Sequence, residues 1–269
     1  MPLVMGVYSA AGGLGTTMAF ATGNAYPSIT AAFGGVTAVG AVLLVLWLVF
    51  AKNPEKGTSN PGDVPEGHEK NSAATKRVLQ SKNMWKVMIC SGFAVGASLL
   101  INTYLTTAFI QEKGVVPAQA GGIGTLLNAC LLIGGILAGM VIGKTGNFNM
   151  NYSIICFGGA ALYLLSWFMP FGAMTYVFIA LAGLISSGAV GVSFTRIPLL
   201  PKTGDFGPES IGTATGMNQA MLGIMSFVLP TIVATAAGNN YTMVFIIAAV
   251  FLVFVGCVGL TIPELGSKK

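Results

Sequence analysis

Polar side chains that could contact a solute are scarce in the apolar parts of this sequence, and the densest group lies in one stretch. Asn102, Thr103, Tyr104, Thr106 and Thr107 occur there together. Asn102 and Thr106 are four residues apart, so they share a face if the stretch is helical. Amide and hydroxyl groups both donate and accept hydrogen bonds, so this face could bind a polar solute. For Thr103 and Thr107, a hydrogen bond to their own backbone is an equally open alternative.

Three further amides lie in apolar surroundings. Asn128 occurs in one apolar stretch, and Asn218 and Gln219 are adjacent in another. A polar group that faces lipid without a partner is costly, so each amide is expected to face a cavity or a neighbouring helix. Binding of a solute and hydrogen bonding between helices are both open for these residues.

Arg196 is the basic residue best placed to attract an anion, because it ends an apolar stretch beside Thr195. The competing interpretation is a positively charged anchor at the membrane surface. The candidate substrate-binding residues are Asn102, Tyr104, Thr106, Asn128, Asn218, Gln219 and Arg196.

Residues for catalysis or for metal binding are not arranged in any recognisable pattern. No Asp, Glu or His falls at the middle of an apolar stretch, so paired carboxylates and Ser/His sets are absent there. The cysteines show no paired spacing, and His68 lies in a charged segment. The sequence therefore predicts no enzyme activity, no catalytic residue, no metal and no cofactor.

The composition indicates a protein that is dissolved in lipid. Hydrophobic residues make up 54% of the chain and charged residues only 8%, whereas soluble proteins have about 25% charged residues. The net charge of +5 comes from basic residues between the apolar blocks. This placement is typical of a topology signal rather than of nucleic-acid binding.

Eight transmembrane helices are predicted, because the apolar blocks approach the roughly 20 residues that cross a bilayer. The fold class is therefore all-α, a polytopic helical bundle. The polar residues between the second and third blocks indicate a solvated linker. Within it, the pattern from Ala74 to Lys86 predicts a short helix at the level of the lipid headgroups, anchored there by Trp85. The spans are expected near residues 3–23, 28–51, 86–110, 118–142, 151–169, 174–195, 208–236 and 241–262.

The basic residues also predict the orientation of the chain. Of the 13 Lys and Arg residues, all but Lys113 fall on the side that holds the linker and both termini. Because basic residues near span ends are retained in the cytoplasm, that side is expected to be cytoplasmic. The chain is thus predicted to be a multi-pass protein of the plasma or inner membrane.

Three segments resemble motifs of the major facilitator superfamily. The glycine-rich first span is similar to the fifth helix of that family, and Phe109 to Gly121 resembles its outer turn between helices seven and eight. Gly139 to Asn149 resembles its loop motif G-x-x-x-D-R-x-G, with Gly143 in place of the aspartate. In detail the chain is most similar to bacterial cyanate, nitroimidazole or anion porters.

The resemblance implies two helical bundles joined by a cytoplasmic loop, with this chain covering helices five to twelve. Residues 1–51 would be the last two helices of an incomplete first bundle, 52–85 the linker and 86–269 a six-helix second bundle. Either a second chain carries the four missing helices or the chain is a truncated product, and without those helices it is expected not to transport.

The function that the resemblance implies is secondary transport of a small polar or anionic metabolite by alternating access. The alternative is a scaffold or receptor subunit in the membrane that keeps the fold but binds no solute.

Overall fold

A computed structural model describes residues 28–50, 71–238 and 240–265. Within these ranges the regular structure is helical and contains no strand. Six of the helical segments are long and apolar enough to cross a membrane. This confirms an all-α, polytopic bundle. The first predicted span and His68 lie outside the described residues.

The helices follow the predicted apolar blocks closely. Their bounds are α1 Ile29–Phe50, α2 Asn71–Gln80, α3 Lys82–Gln111, α4 Pro117–Thr145, α5 Phe148–Phe168, α6 Ala173–Ser186, α7 Gly188–Arg196, α8 Ile211–Ala237 and α9 Tyr241–Leu260. Short 3-10 segments cover Ile197–Thr203 and Pro208–Ser210. The predicted span at 174–195 is interrupted at Ser187, between α6 and α7.

The start of α3 differs from the prediction. This helix begins at Lys82 because Ser81 caps it, with the Ser81 Oγ accepting a hydrogen bond from the Met84 N–H at 3.0 Å. The short helix expected from Ala74 to Lys86 is therefore two elements. Its first part belongs to α2, and the rest forms the first turns of α3.

Five of the six long segments pack in a closed ring, and the bundle holds two apolar clusters. Contacts run from α3 to α9, then to α5, α6 and α4, and back to α3, while α8 packs on α3. One cluster surrounds Trp167 and Phe245, whose rings stack at 4.4 Å between centroids. The other surrounds Met84 and Tyr152. We call the end of the bundle at which α2 lies the α2 end, and the other the Glu112 end.

Carboxylates close the first turns of two helices. The first N–H groups of any helix lack partners within it, and negative charge is favoured there. Glu112 Oε1, just beyond α3, accepts from the Tyr241 N–H of α9 at 2.8 Å. Glu264, after α9, accepts from the Phe148 and Asn149 N–H groups of α5 at 2.8 and 3.0 Å. Each cap therefore joins separate elements of the bundle.

Glycines allow α4 to approach α6 closely. A Cβ at Gly134 would overlap the carbonyl of Leu184, and one at Gly183 would lie 2.9 Å from the Leu127 carbonyl oxygen. Backbone atoms cannot move aside as the tip of a flexible side chain can. This interface therefore depends on the absence of side chains at Gly134 and Gly183, as is common between membrane helices.

We expect Gly134→Ala to lower the free energy of unfolding by about 1 to 3 kcal/mol, because the new methyl group overpacks a backbone contact. Thermal unfolding of the purified chain in detergent measures this change. Gly122→Ala is the matched control on α4, since its Cβ would meet no atom within 4 Å. The control should leave stability unchanged or raise it by up to about 1 kcal/mol. Equal melting temperatures for the two variants would contradict the packing argument.

Candidate functional site

An amide pair joins α3 and α4. The Asn128 Nδ2 donates to the Asn102 Oδ1 at 2.9 Å and to the Gly124 carbonyl at 2.9 Å. The Asn102 Nδ2 in turn donates to the Ser98 carbonyl at 3.0 Å. Asn128 is 1% exposed, and Asn102 is partly buried. The hydrogen bond between the helices and the two backbone bonds hold both amides in fixed orientations.

Measured from the Glu112 end of both helices, the pair lies at about half the thickness of a hydrocarbon core. At 1.5 Å per residue, Asn102 is about 14 Å along α3 from its end at Gln111, and Asn128 is about 16 Å along α4 from Pro117. Half of a hydrocarbon core of about 30 Å is about 15 Å. This is the depth at which transporters that work by alternating access bind their solutes.

Thr106 lies one helical turn beyond Asn102, on the same face of α3. Its Oγ1 is buried and has no hydrogen-bond partner within the described residues. Thr103 and Thr107 are exposed on the adjacent face. A buried hydroxyl without a partner is unfavourable, so the Thr106 Oγ1 is available to a solute that reaches this face.

The other polar candidates lie elsewhere. Tyr104 packs toward α9, with its ring centroid 6.3 Å from that of Tyr241. Asn218 is 0% exposed on α8, among the residues of the apolar cluster near the α2 end, and its Oδ1 and Nδ2 have no partner in the described part of the chain. Gln219, the next residue, is exposed. The structure thus brings Asn102 and Asn128 together, and separates the amides of α8 from them.

Arg196 is buried at the α2 end of the bundle, at 0% exposure. Its Nη2 donates to the Asn149 Oδ1 at 2.9 Å, and its guanidinium lies 4.4 Å from the centre of the Tyr152 ring. Its Nε and Nη1 have no partner within the described residues. The alternative of a surface anchor does not fit this burial, since an anchor keeps its charge in water.

Sequence reasoning did not identify the polar residues around Arg196. Asn149 donates from its Nδ2 to the Ile262 carbonyl at 2.6 Å, and the hydroxyls of Tyr152 and Ser193 lie 3.0 Å apart. These contacts join α5 to α7 and to the segment after α9. No spacing in the sequence indicates them, because the residues are far apart along the chain.

Comparison with known proteins identifies the family. The family model described as Major Facilitator Superfamily matches residues 1–230. The chain belongs to the major facilitator superfamily. This confirms the resemblance drawn from its motifs, and with the six apolar helices it makes the chain a multi-pass membrane protein of a transporter family.

One curated relative of this major facilitator chain is the choline/ethanolamine transporter flvcr2a of Danio rerio. The two sequences are 25% identical over 234 residues, which is 79% of this chain and 47% of the relative. The chain thus spans about half the length of that relative. The family is therefore established for this chain, while its cargo is a matter for proposal.

We expect Asn102 and Asn128 to be coupled energetically. Alanine substitutions at both positions, singly and together, should show a coupling of about 0.6 to 1.7 kcal/mol, the average and the maximum found for hydrogen bonds between membrane helices. The coupling energy is obtained from the free energies of unfolding, in mixed micelles, of the unaltered chain, the two single variants and the double variant. Asn102 and Thr107 form the control pair, because Thr107 is exposed on a different face. Strictly additive effects for Asn102 and Asn128 would contradict the observed hydrogen bond.

Proposed function

We propose that the chain is part of a secondary transporter that moves a small polar metabolite by alternating access. The face formed by Asn102, Thr106 and Asn128 would contact the solute. The observation that carries the proposal is the fixed amide pair, at about half the thickness of a hydrocarbon core from the Glu112 end, one turn from a buried hydroxyl with no partner in the described residues. A solute with hydrogen-bonding groups would satisfy that hydroxyl.

Alternating access requires two bundles that rock around a central site. In this proposal α3 to α9 form one of them, as residues 86–269 were expected to do. The first bundle would include residues 1–51, and a second chain is one possible source of its remaining helices. The major facilitator match, which begins at residue 1, supports placing both parts in one fold.

The α2 end is proposed to face the cytoplasm, in the plasma or inner membrane, with the termini and the linker on that side. Among the described residues the Glu112 end carries one basic residue, Lys113, and this asymmetry is the usual topology signal. The basic residues of the α2 end are Lys76, Arg77, Lys82, Lys86, Lys144, Arg196 and Lys202.

Two cargo classes follow from different observations. A small anion is favoured by Arg196 and by the resemblance to bacterial anion porters. A small ammonium alcohol is favoured by the choline/ethanolamine transporter of Danio rerio. No Asp or Glu lies at the middle of the described spans, so an ammonium group would depend on aromatic faces such as that of Tyr104. We favour the ammonium alcohol, because Arg196 is buried away from the amide pair.

The test is solute-induced thermal stabilisation of the purified chain, with choline, ethanolamine and cyanate as probes. We expect choline or ethanolamine to raise the melting temperature. Thr106→Val should weaken that response at least about fivefold in midpoint concentration, since it removes one hydrogen-bonding group. The same substitution should keep or raise the stability without solute, because it removes a buried hydroxyl with no partner.

Thr231→Val is the matched control, because Thr231 is exposed and bonds to its own backbone at Phe227. It should leave the response to solute unchanged. Stabilisation by cyanate alone would replace the ammonium cargo with an anion. The scaffold or receptor alternative would be favoured if no solute raised the melting temperature, even when a chain that supplies the remaining helices is present.

A further inference from the structure

Three lysines and two apolar side chains form a continuous surface where α2 turns into α3. We call Lys76, Leu79, Lys82, Trp85 and Lys86 the turn patch. Lys76 and Leu79 are three residues apart on α2, and Lys82 and Trp85 are three apart on α3, so each pair shares a helix face. The patch therefore combines positive charge with apolar area at the end of a transmembrane helix.

The apolar part of the turn patch is exposed and held in place. Leu79 is 44% exposed and Trp85 is 41% exposed. The Trp85 Nε1 donates to the Leu79 carbonyl at 2.8 Å, which fixes the indole across the turn between the helices. An exposed, oriented indole beside a leucine is suited to the boundary between headgroups and acyl chains.

The described carboxylates at this end of the bundle have partners other than the lysines of the turn patch. Lys76 and Lys82 are exposed and form no ion pair within the described residues. Glu209 instead pairs with Arg77 at 3.6 Å. Asp205 accepts hydrogen bonds from Ser81, Asn83 and Thr203.

Lys86 extends the turn patch to α9. Its Nζ donates to the Thr261 carbonyl at 2.8 Å, at the end of that helix. Along the same side, the rings of Phe93 on α3 and Phe254 on α9 lie 5.2 Å apart, and Phe254 is exposed. An apolar strip between α3 and α9 therefore runs from the lysines toward the middle of the membrane.

We infer that the turn patch binds a phospholipid with an anionic headgroup. The phosphate and the headgroup charge would lie between Lys76 and Lys82, the glycerol region would pack on Trp85 and Leu79, and one acyl chain would follow the strip between α3 and α9. Charge complementarity carries this assignment. Clustered lysines beside a transmembrane helix attract anionic lipids, and exposed apolar area here faces the bilayer.

The test compares palmitoyl-oleoyl phosphatidylglycerol with the matching phosphatidylcholine. The full chain in detergent is titrated with each lipid, and bound lipid is counted by native mass spectrometry. We expect phosphatidylglycerol to bind the unaltered chain at least about tenfold more tightly. The double variant K76Q/K82Q should lose about tenfold in affinity for phosphatidylglycerol and little for phosphatidylcholine. Lys86 is left in place because it bonds to the end of α9.

The control is K144Q/K202Q, which removes two exposed lysines at the same end but outside the turn patch. It should keep the preference for the anionic lipid. Equal losses in both double variants would show general charge attraction and overturn the assignment. The assignment would also be overturned if the unaltered chain showed no preference between the two lipids. Displacement of the lipid by poly-glutamate at matching concentration would overturn it too, because it would indicate that the turn patch binds an acidic protein segment instead.

A second measurement needs no variant. Added sodium chloride screens exposed charges, so raising it should weaken phosphatidylglycerol binding much more than phosphatidylcholine binding. Salt-independent binding of phosphatidylglycerol would overturn the inference, whatever the fate of the variants.

Discussion

Hydrocarbon offers no hydrogen-bond partner, and this constraint governs the whole bundle. The first N–H groups of each helix are the hardest to satisfy, since they have no partner within the helix. In α9 and α5 the carboxylates of Glu112 and Glu264 accept from these groups. Because each carboxylate comes from another element, the same bonds fix α9 to the end of α3 and α5 to the segment after α9.

The same constraint sorts the polar side chains inside the spans. Asn102 and Asn128 satisfy each other and their own helices, so these contacts hold both side chains in place. The Thr106 Oγ1 and both amide atoms of Asn218 have no partner in the described residues. A group that lacks a partner in one conformation can gain one in another, or from a bound solute. Together with Arg196, whose Nε and Nη1 also have no partner there, these residues are among the places where a change of state would supply hydrogen bonds that this conformation lacks.

Six of the eight predicted spans are confirmed in the described residues, because length and hydropathy are local properties of the chain. The start of α3 could not be placed, since it depends on the cap by Ser81. The contacts of the candidate site were harder to predict, because contacts between amides depend on how each helix is rotated about its own axis. Asn128 forms a hydrogen bond with Asn102. Asn218 and Gln219 are adjacent in the sequence, yet Asn218 is buried and Gln219 is exposed. The sequence offers Arg196 as an anion-attracting residue or a surface anchor, whereas the structure buries it against Asn149 and Tyr152 of α5.

The distribution of polar contacts suits a bundle that moves as one body. At the α2 end, Arg196 bonds to Asn149, and Asn149 bonds to the Ile262 carbonyl, so three elements are linked near the membrane surface. At the other end, Glu112 accepts from the Tyr241 N–H and the Thr242 hydroxyl. In the proposed transporter, these links at both ends would leave the middle of α3 and α4 as the place where polar groups meet a solute. A rocking mechanism requires this division, because the bundle must reorient without losing its own hydrogen bonds.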